Sequence, residues 1–156
     1  MTVEALCNTA DLEDAREKLI HSFGGLQDDL LDEPSVVGHW SIRQTLAHFI
    51  GWDRWAEETL AALERGETVP GPIEDETNSA AVESLARATE TMRQELRGAR
   101  LRLIGRFAAM TDAERADKRY AIAHQQLSAD EFIDRLIEHD LEHASEIRAW
   151  RKAKGV

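Results

Sequence analysis

The stretch SADEFIDRLIEHDLEHASEIRAWRK, residues 128–152, carries the clearest helix signal in the chain. Ser128 and Glu131 form a capping box, in which each side chain bonds the other residue's backbone N–H where a helix begins. Behind this box, apolar residues and two histidines recur at steps of three and four, as on one buried helix face. That stripe consists of Phe132, Leu136, His139, His143, Ile147 and Trp150. We therefore expect a helix from Ser128 to about Lys152 that carries both histidines on its inner face.

Three further amphipathic stretches precede this helix, at about 9–31, 41–66 and 78–110. Each repeats apolar residues every three or four positions, which predicts a helix with one side against a core. Gly24 and Gly25 weaken the first, because glycine costs up to about 1 kcal/mol in a helix interior.

The second stretch has clear signals at both ends. Ser41 and Gln44 form a capping box at its start, and Gly66 is placed as the left-handed residue that ends it. The segment ETVPGPIEDE at 67–76 follows, and its two prolines and one glycine predict an irregular loop.

A single all-α domain over residues 1–156 accounts for this pattern. Thr111 and Glu114 predict one short helical turn before a polar connection that ends near Leu127. No alternating strand pattern and no repeat is visible in the sequence. Four helices of this length predict an antiparallel four-helix bundle.

Composition narrows the classes of partner and compartment. Against 19 Lys and Arg stand 30 Asp and Glu, so the formal net charge is −11, which repels nucleic acid and anionic lipid. Cys7 is the single cysteine, so no internal disulfide can form. The N-terminal residues lack the pattern of a signal peptide, and no apolar run approaches the ~20 residues of a membrane span. We expect a soluble cytoplasmic protein with a small-molecule substrate, no nucleic acid and no membrane.

The histidines suggest a metal centre. His139 and His143 lie one helical turn apart, and His48 lies on the second helix on a face with Trp52 and Trp55. One histidine and an i,i+4 pair can converge on one ion, and three imidazoles with an open position suit zinc, nickel or ferrous iron. The alternatives are a hydrogen-bonded core histidine at position 48 and an ordinary surface pair. The remaining histidines, which we expect to face solvent, are His21, His39 and His124.

Other metal sites fit the chain less well. HDLEH at 139–143 spells the H-x-x-E-H signature of inverted zinc proteases. Only 156 − 143 = 13 residues follow His143, and all should finish the same helix rather than supply a distant ligand. A ferritin-like di-iron site needs Glu-x-x-His on two helices, and Asp140 with His143 is the nearest match. A mononuclear three-histidine site is therefore the metal site that this chain can build.

Four other residues are candidates for the site. Glu142, beside His143, could carry a proton or bond a ligand histidine, although an exposed glutamate on a helix is usually only solvated. Asn78 could polarise a substrate or simply cap the third helix. Trp52 and Trp55 would form the wall of an apolar pocket, unless they only fill the core.

WSIRQTLAHFIGW at 40–52, NSAAVESLARATE from 78 and HDLEHASEIRAW at 139–150 together resemble the DinB/YfiT-like superfamily. The ending HxxxHxxxIR also resembles the branch that includes the colibactin self-resistance protein. The resemblance covers nearly the whole chain and implies up-down-down-up topology, one divalent metal on His48, His139 and His143, and a homodimer. Relatives include thiol-dependent isomerases and transferases that use mycothiol or bacillithiol.

Two functions of different class follow. The first is a divalent-metal-dependent hydrolase or thiol-dependent transferase acting on a small electrophile, with a low-molecular-weight thiol as the cosubstrate in the second case. A metal lowers the pKa of bound water to ~7 and so makes a nucleophile at neutral pH. The alternative is a non-catalytic protein that binds a small molecule or confers stress resistance, with a structural metal or none. A bundle that serves only as an interaction module is a third reading.

Overall fold

The computed structural model describes residues 3–67, 88–117, 120–122 and 125–156. Within these ranges the elements follow in the order α1 (Val3–Ser22), α2 (Asp28–Leu31), α3 (Ile42–Glu64), α4 (Thr89–Ala109), α5 (Asp112–Ala116), β1 (Tyr120–Ile122), β2 (Gln125–Leu127) and α6 (Ala129–Lys154). The long helices α1, α3, α4 and α6 pack as a four-helix bundle, as predicted. None of the helices in the described ranges combines the length and apolar character that a bilayer crossing requires.

Side-chain pairs between helices show that α3 and α4 run parallel. Near the start of both helices, Arg43 donates a hydrogen bond to Thr89 at 3.0 Å. Near their ends, Arg106 donates to Glu64 at 3.1 Å. Residue numbers therefore rise together along the two helices. Parallel neighbours need a crossover connection, and it falls largely within 68–87, outside the described residues.

The first and last helices also run parallel, which completes the topology. Arg16 bonds Asp140 midway along α1 and α6, and Arg151 donates to the carbonyl of Ser22 at 3.0 Å near their ends. α1 and α4 run antiparallel, since Arg97 pairs with Glu17 and Arg100 donates to the carbonyl of Leu12. The up-down-down-up topology that the resemblance implied is thus confirmed. A simple antiparallel arrangement is wrong for these two pairs of helices.

The predicted single helix over 9–31 is wrong because the chain turns at its two glycines. α1 ends at Ser22, and Gly25 has φ of +76°, a left-handed conformation that glycine adopts without a steric cost. The one-turn α2 follows. Phe23 and Leu31 are both buried, so the apolar spacing continues into the core although the helix does not.

All three predicted capping boxes are present, each with both reciprocal hydrogen bonds. They start α3, α5 and α6, and consist of Ser41 with Gln44, Thr111 with Glu114, and Ser128 with Glu131. The predicted end of α3 is also confirmed. Gly66 has φ of +68°, and the Glu67 N–H bonds the carbonyl of Ala62 at 2.9 Å, as in a Schellman motif.

Helix α4 starts at Thr89, inside the stretch 78–110 that was predicted to be one helix. Ala88 has extended backbone angles, so one continuous helix over 78–110 is wrong at this residue. The predicted loop at 67–76 and the predicted helix start at Asn78 lie outside the described residues, apart from Glu67. The core face of α4 is as expected, since Met92, Leu96, Ala99, Leu103 and Phe107 are all buried.

A short antiparallel ribbon occupies the connection before α6. β1 and β2 pair with Tyr120 opposite Leu127 and Ile122 opposite Gln125. The all-α fold class is confirmed, but the ribbon was not predicted, because three-residue strands are too short to show alternation in the sequence. Leu127 is 8% exposed and anchors the ribbon to the core immediately before the cap at Ser128.

Two apolar clusters fill the interior, with charged side chains between them. One cluster includes Phe23, Leu46, Phe49, Leu96 and Ile147, and the other includes Leu12, Leu60, Leu103, Phe107 and Phe132. Each long helix places one charged residue between the clusters, and none of the four is more than 2% exposed. We call these residues the charged layer: Arg16, Asp53, Arg100 and Asp140.

Candidate metal centre

Helices α3 and α6 bring three histidines to one point. His48 comes from α3, and His139 and His143 come from α6 one turn apart. The Nε2 atoms of His48 and His139 are 3.0 Å apart, and one ring nitrogen of each residue lies within 4.8 Å of the others. Among the residues that the structure describes, this is the group of His, Cys, Asp and Glu side chains arranged to hold an ion.

Aromatic rings surround the histidines and limit the access of water. His48 is 7% exposed, and the ring centroid of Trp40 lies 4.8 Å from its own. On the other side, the centroids of Phe49 and Trp52 lie 4.6 Å and 5.2 Å from that of His139. The centre is therefore largely desolvated, which strengthens electrostatic interactions within it.

Burial keeps His139 neutral at physiological pH. It is the largest of the effects that lower the pKa of His139 to about 2, followed by the charges that His48 and His143 would carry if protonated. A neutral imidazole has one nitrogen lone pair free to bind a metal. The environment thus selects the protonation state that coordination requires.

The spacing of the nitrogens suits a single ion. Two imidazole nitrogens bound to zinc at about 2.0–2.1 Å in a tetrahedral site lie ~3.3 Å apart. The closest pair here is 3.0 Å apart and the whole set lies within 4.8 Å, so the most distant pair would have to close by up to about 1.5 Å. Three imidazoles without a carboxylate also match the donor set of a catalytic site with one position left for water or substrate.

The charged layer lies directly behind the centre. Arg16 donates to Asp53 at 2.7 Å and to Asp140 at 2.8 Å, and Arg100 donates to the same carboxylates at 3.2 Å and 3.1 Å. Burial alone would lower the pKa of the Arg16 guanidinium, but the charges and hydrogen bonds of Asp140 and Asp53 raise it above its ordinary value. The two positive guanidinium groups and the two negative carboxylates therefore give the layer a net charge of zero.

The charged layer also contacts the residues that hold the histidines in place. The Arg16 guanidinium lies 5.3 Å from the centre of the Phe49 ring, which packs on His139. Asp140 follows His139 on α6, and Asp53 lies five residues after His48 on α3. One network thus ties together both helices that supply the histidines.

The charged layer was not predicted, although the sequence carries a signal for it. Each member follows a buried apolar residue by four positions and precedes another by three or four, so it occupies a core position on its helix. Examples are Arg16 between Leu12 and Leu19, and Arg100 between Leu96 and Leu103. A charge in the middle of an apolar stripe should be read as a paired buried residue, because an unpaired one would be too costly.

The two predicted tryptophans lie at different distances from the histidines. Trp52 contacts both His48 and His139, while Trp55 is 8% exposed and packs between Trp52 and Phe132. Trp52 is thus a wall of the centre and Trp55 supports it from behind. Asn78 lies outside the described residues.

Glu142, the predicted proton carrier, is exposed on α6. A different glutamate lies close to the centre: Glu146 Oε2 is 3.5 Å from His143 Nδ1. Glu146 was not predicted from the sequence, because the candidate was a chain neighbour of His143 and not a residue on the next helical turn.

The remaining histidines that the structure describes do not belong to the three-histidine group. His21 and His39 are exposed, as predicted. His124 lies outside the described residues. The side chain of Cys7 is likewise not described.

Comparison with known proteins agrees with this fold. YfiT from Bacillus subtilis, described as a probable metal-dependent hydrolase with an unusual four-helix bundle topology, superposes with a TM-score of 0.81 at 18% identity, over 99% of this chain and 90% of that chain. A structural-genomics crystal structure from Streptococcus pneumoniae gives a TM-score of 0.80 at 17% identity, over 93% and 88% of the two chains. No curated protein matches the sequence. The model of the DinB superfamily matches residues 11–147, and the chain therefore belongs to that superfamily.

Proposed function

We propose that this protein is a divalent-metal-dependent enzyme that acts on a small electrophilic molecule through a mononuclear centre. His48, His139 and His143 would be the protein ligands. The observation that supports this most directly is the convergence of three imidazole nitrogens within 4.8 Å in a largely buried setting. The printed description of YfiT, a probable metal-dependent hydrolase, and the shared superfamily are consistent with it.

The reaction class follows from the donor set. A divalent ion with three neutral ligands keeps its positive charge and an open position, and it lowers the pKa of a water or thiol bound there. A water nucleophile gives a hydrolase, and a low-molecular-weight thiol gives a thiol-dependent transferase. In both classes the nucleophile attacks an electrophilic carbon of the substrate, and the proposal includes both.

The chain itself would hold the ligands, exclude water and orient the substrate. The rings of Trp40, Phe49 and Trp52 form the apolar surroundings of the histidines. The indole N–H of Trp52 is buried and has no hydrogen-bond partner among the described residues. Since a buried donor without a partner costs stability, this group is available to bond an oxygen atom of a bound substrate.

Elemental analysis of the untagged protein, before and after reconstitution with zinc, nickel or ferrous iron, is the first test. We expect about one ion per chain in the wild-type protein and loss of that ion in His48→Ala, His139→Ala and His143→Ala. His21→Ala and His39→Ala are matched controls that remove exposed histidines and should retain the ion. Equal metal content in all six samples, or no metal after reconstitution, would refute the centre.

Turnover is tested separately with the reconstituted protein. Hydrolysis of an activated ester and transfer of cysteine to a chloronitrobenzene are suitable probe reactions for the two chemical classes. We expect one of them to depend on the metal and to disappear in His48→Ala. A protein that holds its ion and turns over neither probe would contradict the enzymatic proposal and favour a non-catalytic binding protein with a structural metal.

A further inference from the structure

A carboxylate lies beside Nδ1 of His143, one of the proposed ligands. His143 Nδ1 is buried and has no hydrogen-bond partner within the described residues. Glu146 Oε2 lies 3.5 Å from this nitrogen, one helical turn further along α6. The His143 side chain is 17% exposed and that of Glu146 is 40% exposed, so the carboxylate lies where the centre meets solvent.

We infer that Glu146 is the positioning residue of the metal centre, and this inference rests on the proposed function. A neutral imidazole carries one N–H and one lone pair. When Nδ1 donates its hydrogen to Glu146, Nε2 is left with the lone pair, and the ring is fixed in orientation. Ligand histidines in metal sites almost always donate their second N–H in this way, which also makes them better ligands.

Helix geometry favours Glu146 over Glu142 for this role. Residues three apart lie on the same side of a helix, whereas adjacent residues are about 100° apart around the axis. Glu146 is three residues after His143, while Glu142 precedes it by one and is exposed.

The distance fits a contact that closes when the ion binds. A hydrogen bond between nitrogen and a carboxylate spans about 2.7–3.2 Å, so Glu146 must approach by only a few tenths of an ångström. Both side chains belong to one helix, and a rotamer adjustment of the exposed glutamate is sufficient. Loss of such an outer partner typically weakens metal binding by 10- to 100-fold, and partial exposure favours the lower end.

Zinc affinity, measured by competition with a chromophoric chelator, tests the inference. We expect about tenfold weaker binding in Glu146→Ala and a smaller loss in Glu146→Gln, whose amide oxygen still accepts a hydrogen bond. Glu138→Gln is the matched control. Glu138 is 70% exposed and immediately precedes His139, so it corrects for the loss of one negative charge near a cation. A further variant, Glu142→Gln, should behave like this control.

A second readout separates positioning from structural support. In the cobalt-substituted protein, the visible absorption of the ion reports ligand geometry, and we expect it to change in Glu146→Ala but not in Glu138→Gln. The denaturant midpoint of the metal-free protein should be the same in both variants. Wild-type affinity and an unchanged cobalt spectrum in Glu146→Ala would overturn the inference while leaving the proposed centre intact. A wild-type protein that binds no metal would overturn both.

Discussion

Folding removes most of the proton affinity of His139. Its pKa falls from 6.5 to about 2 in the folded metal-free protein, so the unfolded chain binds a proton there more readily. The stability that depends on a neutral His139 is therefore fully present above pH 6.5, and it is lost as the pH falls from 6.5 towards 2. The loss attributable to this residue is about 1.4 kcal/mol per pH unit within that window. Urea unfolding of the metal-free protein between pH 7.5 and 4.5 measures it.

Comparing two glutamine variants isolates the contribution of this one residue. His139→Gln removes the titrating group and should flatten the decline in unfolding free energy below pH 6.5. His21→Gln removes a histidine whose side chain is 78% exposed and should leave the decline unchanged. The same slope in all three proteins would show that burial of His139 does not govern the acid sensitivity.

Individual site residues were predictable only as far as helical spacing reaches. The i,i+4 relation placed His139 and His143 on one face, and His48 shared a face with Trp52. The separation between α3 and α6 and the role of Glu146 depend on how helices pack, and spacing within one helix carries no information on that.

At the level of single elements, two glycines with different backbone conformations predict opposite effects of alanine. Gly25 ends the turn after α1 with φ of +76°, where a Cβ atom costs roughly 1–2 kcal/mol. Gly105 lies inside α4 with φ in the helical region and no atom within 4 Å of a Cβ position. There alanine should stabilise the helix by up to about 1 kcal/mol.

Chemical denaturation of Gly25→Ala and Gly105→Ala checks this pair of effects. We expect the unfolding midpoint to fall in the first and rise in the second, with no change in metal content in either. Because the two substitutions add the same methyl group, a shared hydrophobic effect cannot explain opposite signs. Destabilisation of both would mean that Gly105 meets a constraint other than helix propensity.

The three helix starts that carry a capping box were the most predictable features because a capping box is local. Each box lies within four residues, and all three formed as expected. The break at Gly25 and the ribbon before α6 were missed for two different reasons. Apolar spacing continued through the turn to Leu31, and Tyr120–Ile122 is too short to show a period.

Across the whole molecule, the charged layer joins all four long helices with a net charge of zero. Asp53→Asn would leave two buried guanidinium groups facing one carboxylate. Breaking a buried ion pair in this way costs about 3–5 kcal/mol, so the unfolding free energy should fall by that amount. Differential scanning calorimetry or urea titration measures the change.

A surface pair provides the comparison for this substitution. Arg97 and Glu17 pair at 3.0 Å, but their side chains are 47% and 39% exposed. Glu17→Gln should therefore cost no more than about 1 kcal/mol, although it also connects α1 with α4. Equal losses in Asp53→Asn and Glu17→Gln would contradict the importance of burial for this network.

Helix direction could not be predicted from apolar patterns, because a stripe fits a core in either direction. The up-down-down-up topology came from family resemblance, and pairs such as Arg43 with Thr89 established it in the structure.

The pairing of α1 with α6 has a consequence for synthesis on the ribosome. Arg16 and Asp140 are separated by 124 positions, and at about 5–20 residues per second the carboxylate is made roughly 6 to 25 s after the guanidinium. Asp53 is available earlier, 37 positions after Arg16, but until α6 emerges the two guanidinium groups of the charged layer have only this one carboxylate. The first helix should therefore stay hydrated during elongation, and the core should close only after the last helix has been translated.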